Sequence, residues 1–213
     1  PGTIDNDIAS SDYTVGFDTA VNTVMDMVDK LRDTSQSHDR CSIVEVMGRR
    51  CGDIALHAGI ACGAVAILVP EVPFSIDSII EKMQRTLRTG KKHFIIIVAE
   101  GVTSVGGVGT VHDIAEEIEA RTGVESRATV LGHVQRGGAP SARERVLASE
   151  MGYHAVELLE QGIGNRVVVN HDNKIVDYDI LEALQMKKQF DLWHEADEYQ
   201  KIVDAVLAID EKE

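Results

Sequence analysis

The period of the hydrophobic positions changes repeatedly along the chain, and each change marks an element. Phe17, Val21, Val24, Val28 and Leu31 recur three or four residues apart, the spacing of one buried helix face. The polar run 33–39 is expected to end that helix. Residues 42–47 (SIVEVM) read as a buried strand, 48–53 as a turn and 54–62 as a second helix. Residues 66–69 form a short strand closed by Pro70. Ser75 opens a helix whose Ile76, Ile79, Ile80, Met83 and Leu87 share a face, and Gly90 stops it. Residues 93–99 (HFIIIVA) are apolar without alternation, as a parallel strand covered on both faces requires. A Gly/Val/Thr loop, a helix over 111–121 and a strand over 127–131 follow. A long helix over 141–161, a hairpin (166–169 with 175–178), a short helix from Ile180 and a terminal helix over 194–209 complete the pattern. Strand and helix alternate, so the expected fold is α/β with a parallel sheet and right-handed crossovers. Ligands of such sheets sit beyond the carboxyl ends of the strands.

Composition narrows the function. Of 213 residues, 44% are hydrophobic and only 4% aromatic, which suits an Ala/Val/Ile-rich α/β core. No apolar run approaches the ~20 residues of a membrane span. The net charge of −14 argues against general binding to nucleic acid or anionic membrane. Cys41, Cys51 and Cys62 are odd in number and form no CxxC pair, so they read as buried reduced thiols in a cytoplasmic protein.

Chemistry gathers at strand ends. The opening Pro1-Gly2-Thr3-Ile4-Asp5-Asn6-Asp7 places two carboxylates on one face if the chain is extended there. One could act as a base toward a hydroxyl and the other lie near a hard cation. The same residues also make an ordinary Asx-rich turn. Met47-Gly48-Arg49, Glu100-Gly101 and Gly132-His133-Val134-Gln135-Arg136 each follow a strand and should open onto one sheet edge. Arginine grips phosphate bidentately and Glu100 can accept from hydroxyls, so together they suit a phosphorylated, hydroxylated ligand rather than separate surface ion pairs. Gly106-Gly107-Val108-Gly109 fails the dinucleotide spacing, since His112 stands where the last glycine belongs; it reads as a surface loop. Lys91-Lys92-His93 reads as a solvated strand start, and the acidic tail from Asp191, with Trp193 and Tyr199, as an exposed helix. A catalytic carboxylate at a free terminus would be poorly held, so further chain is expected upstream of Pro1.

The strings PGTIDNDI (1–8), RDTSQSHDR (32–40), VEVMGRRCGD (44–53), VPEVPF (69–74), GKKH (90–93) and RATVLGHVQRGG (127–138) occur in order. Together they closely resemble the bacterial-type ATP-dependent 6-phosphofructokinases. The resemblance runs to about Tyr178 and corresponds to the C-terminal two-thirds of a subunit. It implies a three-layer parallel-sheet sandwich with one near-complete sugar-phosphate domain (17–134 and 186–213) and a remnant of the ATP domain (1–16 and 135–185). It implies transfer of the γ-phosphoryl of ATP to the 1-hydroxyl of fructose 6-phosphate, with Mg2+, in a cytoplasmic homotetramer. By resemblance Asp5 is the base, Thr3 and Ile4 contact substrate beside it, and Asp7 lies near magnesium. Met47, Gly48 and Arg49 hold the sugar, Arg49 also stabilising the moving phosphoryl group. Glu100 binds sugar hydroxyls. His133, Val134, Gln135 and Arg136 form the 6-phosphate pocket, and Arg40 and Arg127 reach the 6-phosphate of a neighbouring subunit. Arg32, Lys91, Lys92 and His93 match part of an effector site for nucleoside diphosphate or phosphoenolpyruvate.

This sequence also departs from the family. Its glycine-rich ATP loops and main magnesium aspartate match nothing here, so this stretch alone is expected to be inactive. Val65 and Thr89 replace effector-site residues of regulated members and put allosteric control in question. The 102–110 loop is longer than the family's short form. Pyrophosphate-dependent relatives usually carry Lys where Gly2 stands, which favours ATP. That donor, a non-catalytic sugar-phosphate-binding module and a nicotinamide oxidoreductase are the rival readings. The last rests only on the glycine loop and general fold, and fold alone does not give function.

Overall fold

The structure, a computed structural model, describes residues 1–105, 109–188 and 201. The terminal helix expected over 194–209, the tail with Trp193 and Tyr199, and residues 106–108 of the glycine loop lie outside them.

A short parallel pair opens the chain, β1 (Gly2–Thr3) beside β2 (Val15–Gly16). Helix α1 (Phe17–His38) leads into β3 (Cys41–Val46), and α2 (Asp53–Ala61) into β4 (Ala66–Leu68). Helix α3 (Ile76–Arg88) precedes β5 (Phe94–Ala99), and α4 (Gly101–Val105) and α5 (Val111–Thr122) precede β6 (Ser126–Val130). A 3-10 turn (Gly132–Arg136), α6 (Ala142–Glu160), the antiparallel hairpin β7 (Arg166–His171) and β8 (Lys174–Asp179), and α7 (Ile180–Gln185) complete the described chain.

The central sheet is parallel, in the order β4-β5-β3-β6. Every residue of β5 is buried, so both faces are covered. Helix α1 packs with α2 and α3 with α5, the two pairs that enclose the sheet. Ile43, Ile96, Ile97, Phe94 and Met83 lie among the buried residues of the core. Burying each such side chain contributes about 1.5–3 kcal/mol.

One expectation holds and one fails here. Helix α1 ends within the polar run 33–39 as expected, at His38. Ser35 is buried and its hydroxyl meets that of Ser42 at 2.5 Å, while the Ser37 hydroxyl donates to the Asp33 carbonyl; these contacts override weak local propensity. The chain turns only at Asp39, whose φ of 53° is left-handed. The start of the 102–110 loop is helical instead. Val102 is buried in the core and the Thr103 hydroxyl donates to the Glu100 carbonyl, so tertiary anchoring winds α4.

Helix α1 has no side-chain cap of its own. The buried carboxylate of Glu144, from α6, supplies one. Its Oε1 accepts from Gly16 N at 2.5 Å and its Oε2 from the Thr19 hydroxyl, placing negative charge at the positive end of α1.

Candidate functional site

The carboxyl ends of β3, β5 and β6 lie side by side because the register aligns Val46 with Ala99 and Glu45 with Val130. The next residues of each strand form the site. Gly48, with φ 145°, turns the chain where an added Cβ would stand 2.4 Å from the Cys51 carbonyl oxygen, so only glycine fits. Arg49 follows with φ 54°. Glu100 holds this turn, its Oε1 accepting from Gly48 N at 3.1 Å and Arg49 N at 2.5 Å. Gly101 permits the approach, since a Cβ there would lie 2.5 Å from the Arg49 carbonyl oxygen.

Asp5 faces this turn from the other side, 4% exposed. Arg49 reaches both acids, Nε lying 3.2 Å from Asp5 Oδ2 and Nη1 3.8 Å from Asp7 Oδ2. The stretch turns rather than extends, because Asn6 has φ 52°. The two carboxylates meet one arginine through a turn, not through strand alternation. Thr3 steadies it, its Oγ1 accepting from Asp5 N at 3.2 Å and its carbonyl from the Thr14 hydroxyl at 2.8 Å. Ile4 packs against the core.

Burial lifts the Asp5 pKa above the ordinary range; Asp7 adds to this, Arg49 opposes it, Glu100 raises it and Arg136 lowers it. Electrostatic tuning therefore accompanies placement. The 3-10 turn is pinned to the site by Gln135, which is wholly buried. Its Oε1 accepts from Met47 N at 3.3 Å and its Nε2 donates to the Gly132 carbonyl at 3.2 Å. Of that stretch Gln135 is thus a strut, while His133, Val134 and Arg136 are exposed.

A cleft of about 750 Å³ opens here, lined by Asp7, Glu45, Arg49, Arg50, Cys51, Glu100 and Thr103. Glu45 was missed from the sequence, though a lone acid in a buried strand was a visible signal. Burial raises its pKa, Glu100 adds to this and His112 opposes it. Cys51 is buried, and its thiol is pushed up to about 12, chiefly by burial; it is inert at neutral pH. Among the described residues no group of three or more His, Cys, Asp or Glu could hold a metal ion. Magnesium commonly takes only one or two protein carboxylates besides waters and substrate phosphates, and Asp7, lining the cleft, fits that sparse set.

The other expected residues lie elsewhere. Arg40 and Arg127 stand at the amino ends of β3 and β6, the opposite sheet edge. Both pair with Glu125, Arg40 Nε at 2.8 Å from Oε2 and Arg127 Nη2 at 2.5 Å from Oε1. Lys91, Lys92 and His93 precede β5 at that edge. Burial, then Lys91 and Arg32, lower the His93 pKa, against Asp39. Lys92 lies 3.6 Å from Asp39 Oδ2, and Arg32 donates to the Cys62 carbonyl. Val65 is buried in the core and Thr89 ends α3.

Comparison with known proteins gives consistent results. The family described as phosphofructokinase matches residues 1–159. The ATP-dependent 6-phosphofructokinase of Clostridium tetani is 59% identical over 191 residues, 90% of this chain and 58% of that protein. That of Clostridioides difficile is 53% identical over 203 residues, 95% of this chain and 61% of its own length. The chain therefore spans less than two-thirds of these relatives. The structure of phosphofructokinase from Saccharomyces cerevisiae superposes with a TM-score of 0.79 at 37% identity, over 86% of this chain and 26% of that one. A pyrophosphate-dependent phosphofructokinase from Marinobacter aquaeolei matches in fold, with a TM-score of 0.74 at 23% identity, over 89% of this chain and 53% of its own.

Proposed function

The chain belongs to the phosphofructokinase family, and from that premise we propose that the full-length protein transfers the γ-phosphoryl group of ATP to the 1-hydroxyl of fructose 6-phosphate. The products are fructose 1,6-bisphosphate and ADP. The observation that carries this reading is the buried carboxylate of Asp5, held against Arg49 on a turn that Glu100 secures. The relatives' names support ATP as donor, and so does Gly2 in place of the lysine of pyrophosphate-dependent relatives.

Asp5 takes the proton from the sugar 1-hydroxyl as that oxygen forms its bond to phosphorus and the bond to the ADP oxygen breaks. Its raised pKa improves it as a proton acceptor, because a base works best when its pKa lies nearer the working pH. Arg49 lies beside Asp5 with most of its side chain accessible, available to the charge on the transferring group. Such positioning and charge stabilisation supply most of phosphoryl-transfer catalysis. Met47, Gly48 and Glu100 frame the sugar, and His133, Val134 and Arg136 hold its 6-phosphate, with Gln135 bracing their turn. Bound magnesium would neutralise phosphate charge, with Asp7 as its ligand from this chain.

The central sheet falls wholly within 17–134 while α6 and the hairpin fall outside it, which supports two units with the boundaries given above. No described helix is long and apolar enough to cross a membrane.

The test is Asp5→Asn in the full-length protein, assayed with ATP and separately with pyrophosphate. Turnover with ATP should fall by ~10²–10⁴-fold while calorimetric binding of fructose 6-phosphate persists. Near-parental turnover would remove Asp5 as the base, and faster turnover of the parent with pyrophosphate would reverse the donor.

A further inference from the structure

Between the two carboxylates stands a residue that sequence reasoning passed over. Asn6 is 4% exposed and takes φ 52°, a conformation that asparagine tolerates better than most residues. Its side chain is fully engaged. Oδ1 accepts from Thr14 N at 3.0 Å and from the Thr14 hydroxyl at 3.2 Å. Nδ2 donates to Asp53 Oδ2 at 2.7 Å and to the Asp12 carbonyl at 3.3 Å. Asp53 is itself anchored. It is 6% exposed and begins α2, where the helix dipole favours a carboxylate. Lys188 Nζ donates to the same Oδ2 at 2.7 Å and also to the Asn6 carbonyl.

We infer that Asn6, fixed by Asp53, is a positioning residue that sets the aim of Asp5 and Asp7 at Arg49. The inference rests on the functional reading above and adds a second layer to it. The backbone angles at residue 6 help set the directions of the flanking side chains. Here the left-handed turn brings both acids to one guanidinium. The four hydrogen bonds of the Asn6 amide tie that angle to β2's approach through Thr14 and to α2 through Asp53. Because Asn6 is neutral it donates to Asp53 while accepting from Thr14, which no carboxylate in its place could do at neutral pH. It touches no reacting atom; its effect passes through Asp5. Small misplacements of a reacting group are costly, about 1 Å sufficing for ~10²-fold in rate.

Asn6→Ala and Asp53→Ala in the full-length protein should each lower kcat by ~10²-fold while KM for fructose 6-phosphate stays within about threefold of the parent. Asp53→Asn, which keeps an acceptor for the Asn6 amide, should retain more kcat than Asp53→Ala. A purely structural role would lower thermal stability without this split, so kcat within about twofold of the parent in both alanine variants overturns the inference. If Asn6→Ala does not fold, Asn6→Gly is read instead, since its backbone reaches the turn freely while losing the anchors, and it faces the same threshold. A crystal structure of Asn6→Gly provides the check that needs no activity. Asp5 and Asp7 should leave Arg49; both contacts intact would overturn the proposal. A parent without turnover would count against the phosphofructokinase reading and leave this structure to decide the role of Asn6.

Discussion

Opposing pressures meet on Asp5. Burial and the neighbouring Asp7 resist its ionisation, and Arg49 favours it. The Arg49 side chain is 71% exposed, so water screens its pull, and the resisting pressures win. Replacing the carboxyl by a neutral amide of the same shape should therefore relieve the fold. Asp5→Asn is expected to raise Tm at neutral pH; a calorimetric scan showing no rise would mean the pair with Arg49 outweighs burial. Such a trade of stability for function is common where charge is held for chemistry. The sequence made the residue types of this site readable, because acids, arginines and glycines sat at strand ends. Asp and Asn are scarce in strands and common in turns, so the turn was open to reading, while its anchoring by Thr14 and Asp53 was not.

Among the elements, the helices and strands with strong apolar periodicity were legible to within a residue or two, as α3 and β5 illustrate. Those fixed by distant contacts were not. The whole of α4 depends on burial of Val102, which local pattern does not carry. The hairpin is clamped to α6 in the same long-range manner. Asp177 on β8 accepts from His154 Nε2 at 2.8 Å and from Arg166 Nε at 2.5 Å. The hydrogen bond from His154, then that from Arg166, lowers the Asp177 pKa. A carboxyl whose folded pKa is depressed contributes stability above its unfolded value and loses it as pH falls through the folded one. Asp177→Asn should thus lower Tm at pH 7 and flatten its decline as pH falls below the ordinary aspartate pKa. A decline as steep as the parent's would show that other acids govern that limb.

Across the whole molecule the charged loops divide between two edges of one sheet. Asp5, Arg49 and Glu100 occupy the carboxyl edge, while Arg40 and Arg127, bridged by Glu125, occupy the other. One chain cannot bring both groups to the same sugar phosphate. Under the proposed function these arginines would serve a second copy, as binding residues rather than catalytic ones. Arg40→Ala in the full-length oligomer should raise KM for fructose 6-phosphate about tenfold or more with a smaller change in kcat. A fall confined to kcat would place Arg40 in the chemistry instead.

The shared cap of α1 constrains any motion of this architecture. Glu144 belongs to the helix outside the central sheet, yet it satisfies donors at the head of a helix packed on that sheet. Pulling α6 away from α1 would strand the Gly16 amide and the Thr19 hydroxyl and leave a buried carboxyl unmatched. The contact therefore ties α6 to the head of α1.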